Sequence, residues 1–178
     1  MINHGLNTGA MFLVIGMIYD RYHTREMDQL SGLARRMPRM AFFFVFFVLA
    51  SIGLPGTNGF VSEFLTVLGA FTSSHLGIAF GVLAAIGVIL GALYMLWFAQ
   101  RFLFGTVKAP HGTPSDLSFR ESAILGVIVV AIFWLGLFPA EPLHKTELAA
   151  RAYQQLVMTA RVPIDTHVAR DEKREESR

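Results

Sequence analysis

Glu63 is the residue of this sequence best suited to chemistry inside a membrane, because it is the single charged side chain between positions 40 and 100. An ionised carboxylate near a bilayer centre costs roughly 2.5–3.5 kcal/mol on insertion scales, so such a residue marks a functional position. A carboxyl group placed there can bind and release a proton. The alternative is that Glu63 snorkels to the membrane interface, or caps a broken helix near Gly59.

His4 is the second candidate, because it stands in an uncharged apolar segment beside Asn3, Asn7 and Thr8. Histidine changes its charge near physiological pH and can pass a proton between water-filled paths. We expect His4 to face the interior with Asn7 and Thr8, which lies at i+4 on the same helical face. The alternative is a buried neutral histidine bonded to a neighbouring helix. Three apolar residues of this segment are expected to pack against apolar neighbours: Met11, Leu13 and Ile15.

Other polar residues are weaker candidates. Ser62 and Thr66 flank Glu63, but hydroxyls within a helix more often donate to their own backbone carbonyls, and we favour that arrangement. Four other histidines lie in polar or interfacial segments without the spacing of a metal site: His75, His111, His144 and His167. The absence of cysteine excludes cysteine-ligated iron–sulfur clusters, and there is no phosphate-binding glycine motif. We therefore predict no cofactor and no metal in this chain.

The elements that position these residues follow from the charge distribution. Of the 178 residues, 53% are hydrophobic and 16% charged. Apart from Glu63, all charged side chains fall within residues 20–39, 101–121 and 141–178. Uncharged apolar runs between such blocks indicate transmembrane helices. We predict an all-α, polytopic membrane protein with about five transmembrane helices, at residues 1–19, 40–54, 57–71, 76–104 and 119–137.

The second and third predicted helices are short and adjoin the breaker sequence Pro-Gly-Thr-Asn-Gly at residues 55–59. Short hydrophobic segments interrupted by glycine and proline point to a discontinuous helix at a transport site. A tight membrane turn between two tilted helices is an equal alternative. In the fourth helix, glycines at 77 and 81 and at 87 and 91 have the spacing that lets another helix approach closely.

Three regions are predicted along the chain. Residues 1–140 form a transmembrane helical bundle, residues 141–162 an amphipathic surface helix, and residues 163–178 a disordered charged tail. The surface helix, with Glu147 and Arg151 as an i,i+4 pair, would lie on the membrane or along a neighbouring protein. The first helix begins without an interfacial anchor or basic flank, so we expect this sequence to be a piece of a larger membrane protein.

Two segments resemble the antiporter-like membrane subunits of respiratory complex I. One is IGLPGTNGFVSEF at residues 52–64, and the other is NHGLNTGA at residues 3–10, followed by YDRYHTR at residues 19–25. Within that family the pattern is most similar to the subunit M type of NADH-quinone oxidoreductase, the counterpart of mitochondrial chain 4. The resemblance covers about residues 1–140 and is weaker in the tail.

The resemblance implies a fold of about fourteen transmembrane helices in two inverted repeats, each with a broken helix. This chain would supply the last five and the C-terminal helix. Glu63 then matches the ionisable residue of the second repeat's broken helix, a proton carrier where the sister L and N subunits typically carry lysine. His4 matches a proton-relay histidine of the central axis. Thr8 stands where subunit L has lysine, so it receives no proton-carrying role. Because the first repeat's Glu and two Lys have no counterpart here, the chain alone is not expected to pump.

The expected function is that of a proton-translocating membrane-arm subunit of NADH:quinone oxidoreductase. Electron transfer from NADH to quinone would occur in other subunits, with no redox site in this chain. Expected partners are the L-type and N-type subunits and the lipid bilayer, without nucleic acid, in the bacterial inner membrane. Two alternatives stay open: a sodium/proton antiporter or membrane-bound hydrogenase subunit of the same fold, and a silent truncated membrane scaffold.

Overall fold

The computed structural model describes residues 2–24, 26, 29–73, 77–106 and 115–175, with the backbone alone described at 158 and 160–175. This part of the chain is helical, without a strand. The seven helices are α1 (Ile2–Tyr22), α2 (Leu33–Arg36), α3 (Pro38–Ser51), α4 (Asn58–Thr72), α5 (Gly77–Phe104), α6 (Phe119–Leu137) and α7 (Ala140–Glu175). The all-α prediction is confirmed, and each predicted transmembrane segment corresponds to one of these helices.

Within the described residues, α5 and α6 are each long and apolar enough to cross a membrane. Helix α3 is a shorter apolar helix of 14 residues, and α4 has 15. At about 1.5 Å per residue, such helices reach about 21–23 Å, less than the roughly 30 Å hydrocarbon core. Each of these two helices alone is therefore shorter than the hydrocarbon core of a bilayer.

The core lies where α1, α3, α5 and α6 face one another. Helix α1 buries Asn7, Ala10, Val14 and Ile18, a spacing of three and four residues that places them on one face. The prediction for Leu13 and Ile15 is wrong, because both side chains are exposed on other faces of α1. Met11, in contrast, does pack against the buried core.

Aromatic packing joins α3 to α5. The Phe44 ring lies 5.7 Å from the Phe98 ring and 5.3 Å from the Phe102 ring, measured between centroids. Such aromatic pairs add about 0.5–1.5 kcal/mol beyond the area they bury. Phe44 is completely buried, so this cluster fixes the first half of the interrupted segment against the long helix.

The glycines of α5 have two different surroundings. A Cβ on Gly81 would lie 2.6 Å from Cδ1 of Phe71, so Gly81 provides the close contact between α5 and α4 that its spacing predicts. A Cβ on Gly87 would meet no atom within 4 Å, and both Gly87 and Gly91 line a cavity. The second glycine pair thus leaves space within this chain instead of making a helix contact.

Charged and polar groups tie α1 to α6. The guanidinium of Arg21 donates to both carboxylate oxygens of Glu121, at 3.0 and 2.7 Å, and its Nε donates to the carbonyl of Ser115 at 2.9 Å. The Glu121 carboxylate also accepts from the backbone N–H of Ser118, and the Glu121 backbone N–H donates to the Ser118 hydroxyl oxygen, which forms a capping box at the start of α6.

Asp116 extends this arrangement to α3. Its carboxylate accepts from the backbone N–H groups of Arg39 at 2.8 Å and Met40 at 3.2 Å, in the first turn of α3. We call Arg21, Asp116, Ser118 and Glu121 the ionic cluster. It fixes one end each of α1, α3 and α6. Its hydrogen bonds join residues 115–121 to Arg21 and to the start of α3, which are far away in sequence and meet only in the folded bundle.

The chain divides into two compact units, Met1–Phe138 and Pro139–Arg178. Helix α7 occupies the second unit and carries the expected pair between Arg151 and Glu147, at 2.5 Å. The helix continues through Glu175, so residues 163–175 are helical where the sequence predicted a disordered tail. Its last seven residues, 169–175, are mostly good helix formers (alanine, arginine, lysine and glutamate), whereas Pro163 disfavours a helix interior. Residues 176–178 lie outside the described residues.

Candidate functional site

The segment between α3 and α4 contains two tight backbone turns. Gly53 and Gly56 have φ angles of 78° and 92°, a region that glycine occupies without the cost paid by other residues. The backbone N–H and the hydroxyl of Thr57 both donate to the carbonyl of Leu54, at 3.0 and 2.7 Å. We call residues 52–57 the break.

Helix α1 donates hydrogen bonds to both sides of the break. The Asn7 side-chain amide donates to the Ala50 carbonyl of α3 at 3.2 Å, and the Asn3 amide donates to the Asn58 carbonyl of α4 at 2.9 Å. Gly59 approaches the Ala50 carbonyl so closely that a Cβ at this position would collide with it. The end of α3 and the start of α4 are therefore packed on each other and on one polar face of α1.

Glu63 lies one turn beyond this junction, and its carboxyl group reaches back to the break. A Cβ on Gly53 would collide with Oε2 of Glu63. Glu63 is half-buried and makes no hydrogen bond or ion pair with any described residue. The hydroxyls of Ser62 and Thr66 donate to the carbonyls of Gly59 and Ser62, at 2.9 and 2.7 Å, which confirms the expected backbone bonding.

A cavity of about 540 Å³ brings the two candidate residues together. Its polar lining comes from α1, α3, α4 and α5: Asn3, His4, Asn7, Thr8, Ser51, Ser62, Glu63 and Tyr94. His4 lies at the exposed edge of this cavity. Its ring nitrogens are 3.4 and 3.5 Å from the Thr8 hydroxyl, at the outer limit of hydrogen bonding. The cavity therefore contains the titratable groups and small polar groups that a hydrated proton path requires.

Two lining or neighbouring residues were not anticipated as site residues. Tyr94 stands in an apolar helix and reads as part of its lipid-facing surface, although it is the only hydroxyl-bearing residue between positions 77 and 104. Asn58 was noted only as part of the breaker sequence. It is completely buried, and neither its side-chain nitrogen nor its side-chain oxygen has a hydrogen-bond partner among the described residues.

None of the four other histidine candidates has a described side chain in the lining of this cavity. His75 and His111 lie outside the described residues, as does the side chain of His167, and His144 is an exposed residue of α7. Within the described part of the chain, no group of three or more His, Asp or Glu side chains could hold a metal ion.

Comparison with known proteins assigns the class. Residues 1–93, more than half of the chain, match the family model described as NADH:quinone oxidoreductase/Mrp antiporter, TM. The chain belongs to this family of membrane proteins. Among its relatives it is similar to NADH-quinone oxidoreductase subunit M of Rhodobacter capsulatus, with 47% identity over 141 residues, covering 79% of this chain and 27% of the relative. NADH-ubiquinone oxidoreductase chain 4 of Chondrus crispus is 36% identical over 158 residues, covering 88% and 32%.

Solved structures that are similar to this chain come from the same family of membrane complexes. A chain of the respiratory complex I from Thermus thermophilus with bound NADH matches with a TM-score of 0.76 and 33% identity, covering 86% of this chain and 32% of that chain. A chain of the Mrp complex from Dietzia sp. DQ12-45-1b shares the fold, with a TM-score of 0.60 and 23% identity over 76% of this chain and 33% of that chain. The resemblance to subunit M and chain 4 is confirmed. The chain spans about a third or less of the length of these relatives.

Proposed function

We propose that this chain carries protons across the membrane as part of a subunit of the membrane arm of NADH:quinone oxidoreductase. The observation that carries the proposal is the cavity that Glu63 and His4 share beside the interrupted helix. Glu63, a carboxylic acid, has no hydrogen-bond partner among the described residues, and His4 supplies a basic imidazole. The similarity to subunit M supports the same assignment. Oxidation of NADH and reduction of quinone would take place in other subunits.

Proton transfer would proceed through water in the cavity. The Glu63 carboxyl group releases a proton to an adjacent water molecule and is reprotonated from the other side of the break. His4 accepts a proton at one ring nitrogen and gives one up at the other, which suits a relay between two hydrated paths. Because Glu63 has no fixed cationic partner among the described residues, its protonation is free to change during each transfer.

The break supports this function by supplying polar surface inside the membrane. Backbone groups released from a helix are tolerated at that depth only when protein binds them or they line a hydrated cavity. Asn3 and Asn7 bind two carbonyls of the junction, while Ser51, Ile52 and Gly59 line the cavity. This arrangement favours the discontinuous helix at a transport site over the simple membrane turn.

Further parts of the proposal concern the surroundings. We propose five membrane spans within residues 1–140, placement in the bacterial inner membrane, and contact with L-type and N-type subunits. The proposed role of α7 is to lie along the membrane surface or a neighbouring subunit, at least over residues 141–162. Its charges at Glu141, Lys145, Glu147 and Arg151 would each cost roughly 2.5–3.5 kcal/mol at a bilayer centre, which disfavours a crossing.

Replacement of the central carboxyl group tests the proposal. Membrane vesicles from cells that make the chain with Glu63→Gln would be energised with NADH, and the pH gradient followed by dye quenching. Glutamine keeps the size and hydrogen-bonding end of the side chain but cannot exchange a proton. Because acid–base groups contribute about 10²–10⁴-fold to proton-transfer rates, transport through this path should fall by about 10²-fold or more. Parallel paths in other subunits would continue.

Glu121→Gln is the matched control, since it removes the carboxylate of the paired glutamate in the ionic cluster. Quenching per NADH oxidised should stay normal in this variant. If Glu63→Gln also left quenching per NADH unchanged, Glu63 would not be a proton carrier.

Transport of sodium in exchange for protons is the second candidate, favoured by the shared fold with the Mrp complex. Replacing sodium by a large organic cation in the vesicle experiment separates the two functions. The proton path requires no sodium, so its quenching should be unaffected, whereas an antiporter would lose its pH gradient.

A further inference from the structure

Asn58 combines complete burial with an unsatisfied side chain. Its exposed fraction is 0%, yet its Nδ2 and Oδ1 have no hydrogen-bond partner among the described residues. A buried polar group left unpaired costs about 1–3 kcal/mol, and buried amides in folded proteins are almost always bonded to protein or ordered water. Asn58 is also the first residue of α4, so whatever binds its carboxamide lies at the junction with α3.

Asn7 supplies a second unsatisfied group at the same junction. Its side chain is 5% exposed, and its Oδ1 lacks a partner although its Nδ2 donates to the carbonyl of Ala50. One turn earlier, Asn3 donates to the carbonyl of Asn58. A Cβ on Gly59, the residue after Asn58, would lie 3.6 Å from the Asn7 Nδ2. Asn7 and Asn58 thus both lie at the junction of α3 and α4.

The unsatisfied atoms define the ligand. Two carbonyl-type oxygens require donors, and one NH₂ group requires an acceptor. A bound cation would satisfy the oxygens but would repel the NH₂ group of Asn58. Water both donates and accepts, and a buried water typically makes about 2–4 hydrogen bonds to such groups. Asn7 lines the cavity that contains Glu63 and His4, so water bound at this point would be continuous with that cavity.

We propose that Asn58 and Asn7 bind an ordered water molecule at the junction of α3 and α4, and that Asn58 is a positioning residue for the proton path. The water bridges the two carboxamides and presents its remaining hydrogen-bonding capacity to the cavity. The water site stands on the burial and bonding of the two asparagines. Its effect on transport rests, in addition, on the proposed function.

A high-resolution structure of the native assembly tests the water site directly. Density for a water is expected about 2.7–3.0 Å from Oδ1 of Asn7 and from the carboxamide of Asn58. The same density should be absent in Asn58→Leu, whose side chain has the same branching and number of heavy atoms but no polar atom. Bonding of both carboxamides to protein groups outside the described residues, or an ion coordinated by oxygens alone, would overturn the proposal.

Transport provides a second readout with a graded series of variants. Asn58→Leu should lower the proton-to-NADH ratio of this path by about two- to tenfold, the effect of losing one hydrogen bond of about 0.5–1.5 kcal/mol in the transfer step. Asn58→Ser, which keeps a donor and acceptor and leaves room for water, should recover part of the ratio. Equal ratios in both variants and the wild type would refute the positioning role. If Asn58→Leu does not assemble, wild type and Asn58→Ser still decide the question by density and ratio.

Failure of the water site and failure of the proposed function give different results. Absence of the density contradicts the site whatever Glu63 does. A normal proton-to-NADH ratio in Glu63→Gln contradicts the proposed function and leaves the density in the wild type as the test of the water.

Discussion

Glu63 and Glu121 are two glutamates of the same bundle with opposite surroundings. The Glu121 carboxylate accepts two hydrogen bonds from Arg21 and one from the Ser118 backbone N–H at its own helix start, and the side chains of the ion pair are only 14% and 23% exposed. Glu63 lies beside Gly53 at the edge of a polar cavity and has no bonded partner among the described residues. Identical side chains are thus held by several hydrogen bonds in one region and, among the described residues, by none in the other.

The proposed function accounts for the difference between the two glutamates. Hydrogen bonds to charged groups contribute about 1.5–3 kcal/mol each, so a carboxylate held by several of them is locked in its ionised form and position. Such locking suits a cluster that aligns three helices. A proton carrier has to change protonation at each cycle, and a permanent guanidinium partner would prevent this. The two regions are therefore separable by mutation, with effects on stability at one and on transport at the other.

After Glu63→Gln, Gly53→Ala should give the largest effect, and it acts on the break region alone. A side chain at a φ of 78° costs about 1–3 kcal/mol, and the new methyl group would also push the Glu63 carboxyl group from its place. We expect transport to fall by about tenfold or more, since misplacement of a reacting group strongly lowers rates. Dye quenching per NADH and thermal unfolding of the purified assembly measure the two effects.

Gly69→Ala is the control for Gly53→Ala, because a Cβ at Gly69 in α4 would meet no atom within 4 Å. It should keep normal transport and gain up to about 1 kcal/mol from helix propensity. Normal transport in Gly53→Ala would show that Gly53 does not set the position of Glu63.

Arg21→Met should come next, and its effect should appear in stability. Loss of the guanidinium leaves the Glu121 carboxylate without its main partner, at a cost of about 2 kcal/mol. The melting temperature of the assembly should drop while protons moved per NADH stay unchanged. Arg39→Met is the control, because the Arg39 side chain makes no hydrogen bond or ion pair with the described residues. A transport defect in Arg21→Met would mean that the ionic cluster and the break are functionally joined.

Asp116→Ala should have a smaller effect of the same kind. The carboxylate caps the first turn of α3 through the N–H groups of Arg39 and Met40, and removal of such a cap costs about 1 kcal/mol. Asp116→Asn keeps one acceptor oxygen and should lose less. Thermal unfolding of both variants measures this effect. Equal melting temperatures for Asp116→Ala and the wild type would show that the Asp116 cap does not stabilise the bundle.

His4→Ala should give the smallest effect, a fall in transport of about two- to threefold, well below that of Glu63→Gln. Water can partly replace an intermediate relay, because water-mediated bonds are nearly as good as direct ones. Thr8→Val controls for the polar surroundings and should be close to normal. A loss in His4→Ala as great as that in Glu63→Gln would make His4 an obligatory carrier.

Candidate site residues can be predicted from the sequence when a polar or charged residue stands in an otherwise apolar segment. A lone glutamate and a histidine in apolar runs are visible without a structure, and the helices follow from the spacing of charged blocks. The residues of α1 that pack on other helices are harder to predict, because the spacing of apolar residues along α1 does not say which face of the helix is turned inward. We expected Leu13 and Ile15 on the packed face, and both are exposed. The ionic cluster was missed for another reason. Arg21 and Glu121 are 100 positions apart, and no local pattern joins them.

Tyr94 and Asn58 show a further limit of sequence reasoning. A tyrosine in a long apolar helix fits the lipid interface equally well, and only the cavity reveals its position. An asparagine in a breaker sequence is explained by turn formation alone, and its burial depends on how α1 and α4 pack. Both residues are ordinary for their local sequence, so their relevance arises from tertiary structure.

Helix α6 is held at both ends, so its length sets the spacing between two regions of the bundle. Glu121 fixes its first turn to Arg21, and near its last turn Gly136 lies so close to Gly56 and Thr57 of the break that no Cβ would fit. Its 19 residues make a rod about 28 Å long. Because the rise per residue of a helix is fixed, α6 sets the distance between the ionic cluster and the break, and an insertion or deletion of one residue in α6 would move one of the two contacts by about 1.5 Å.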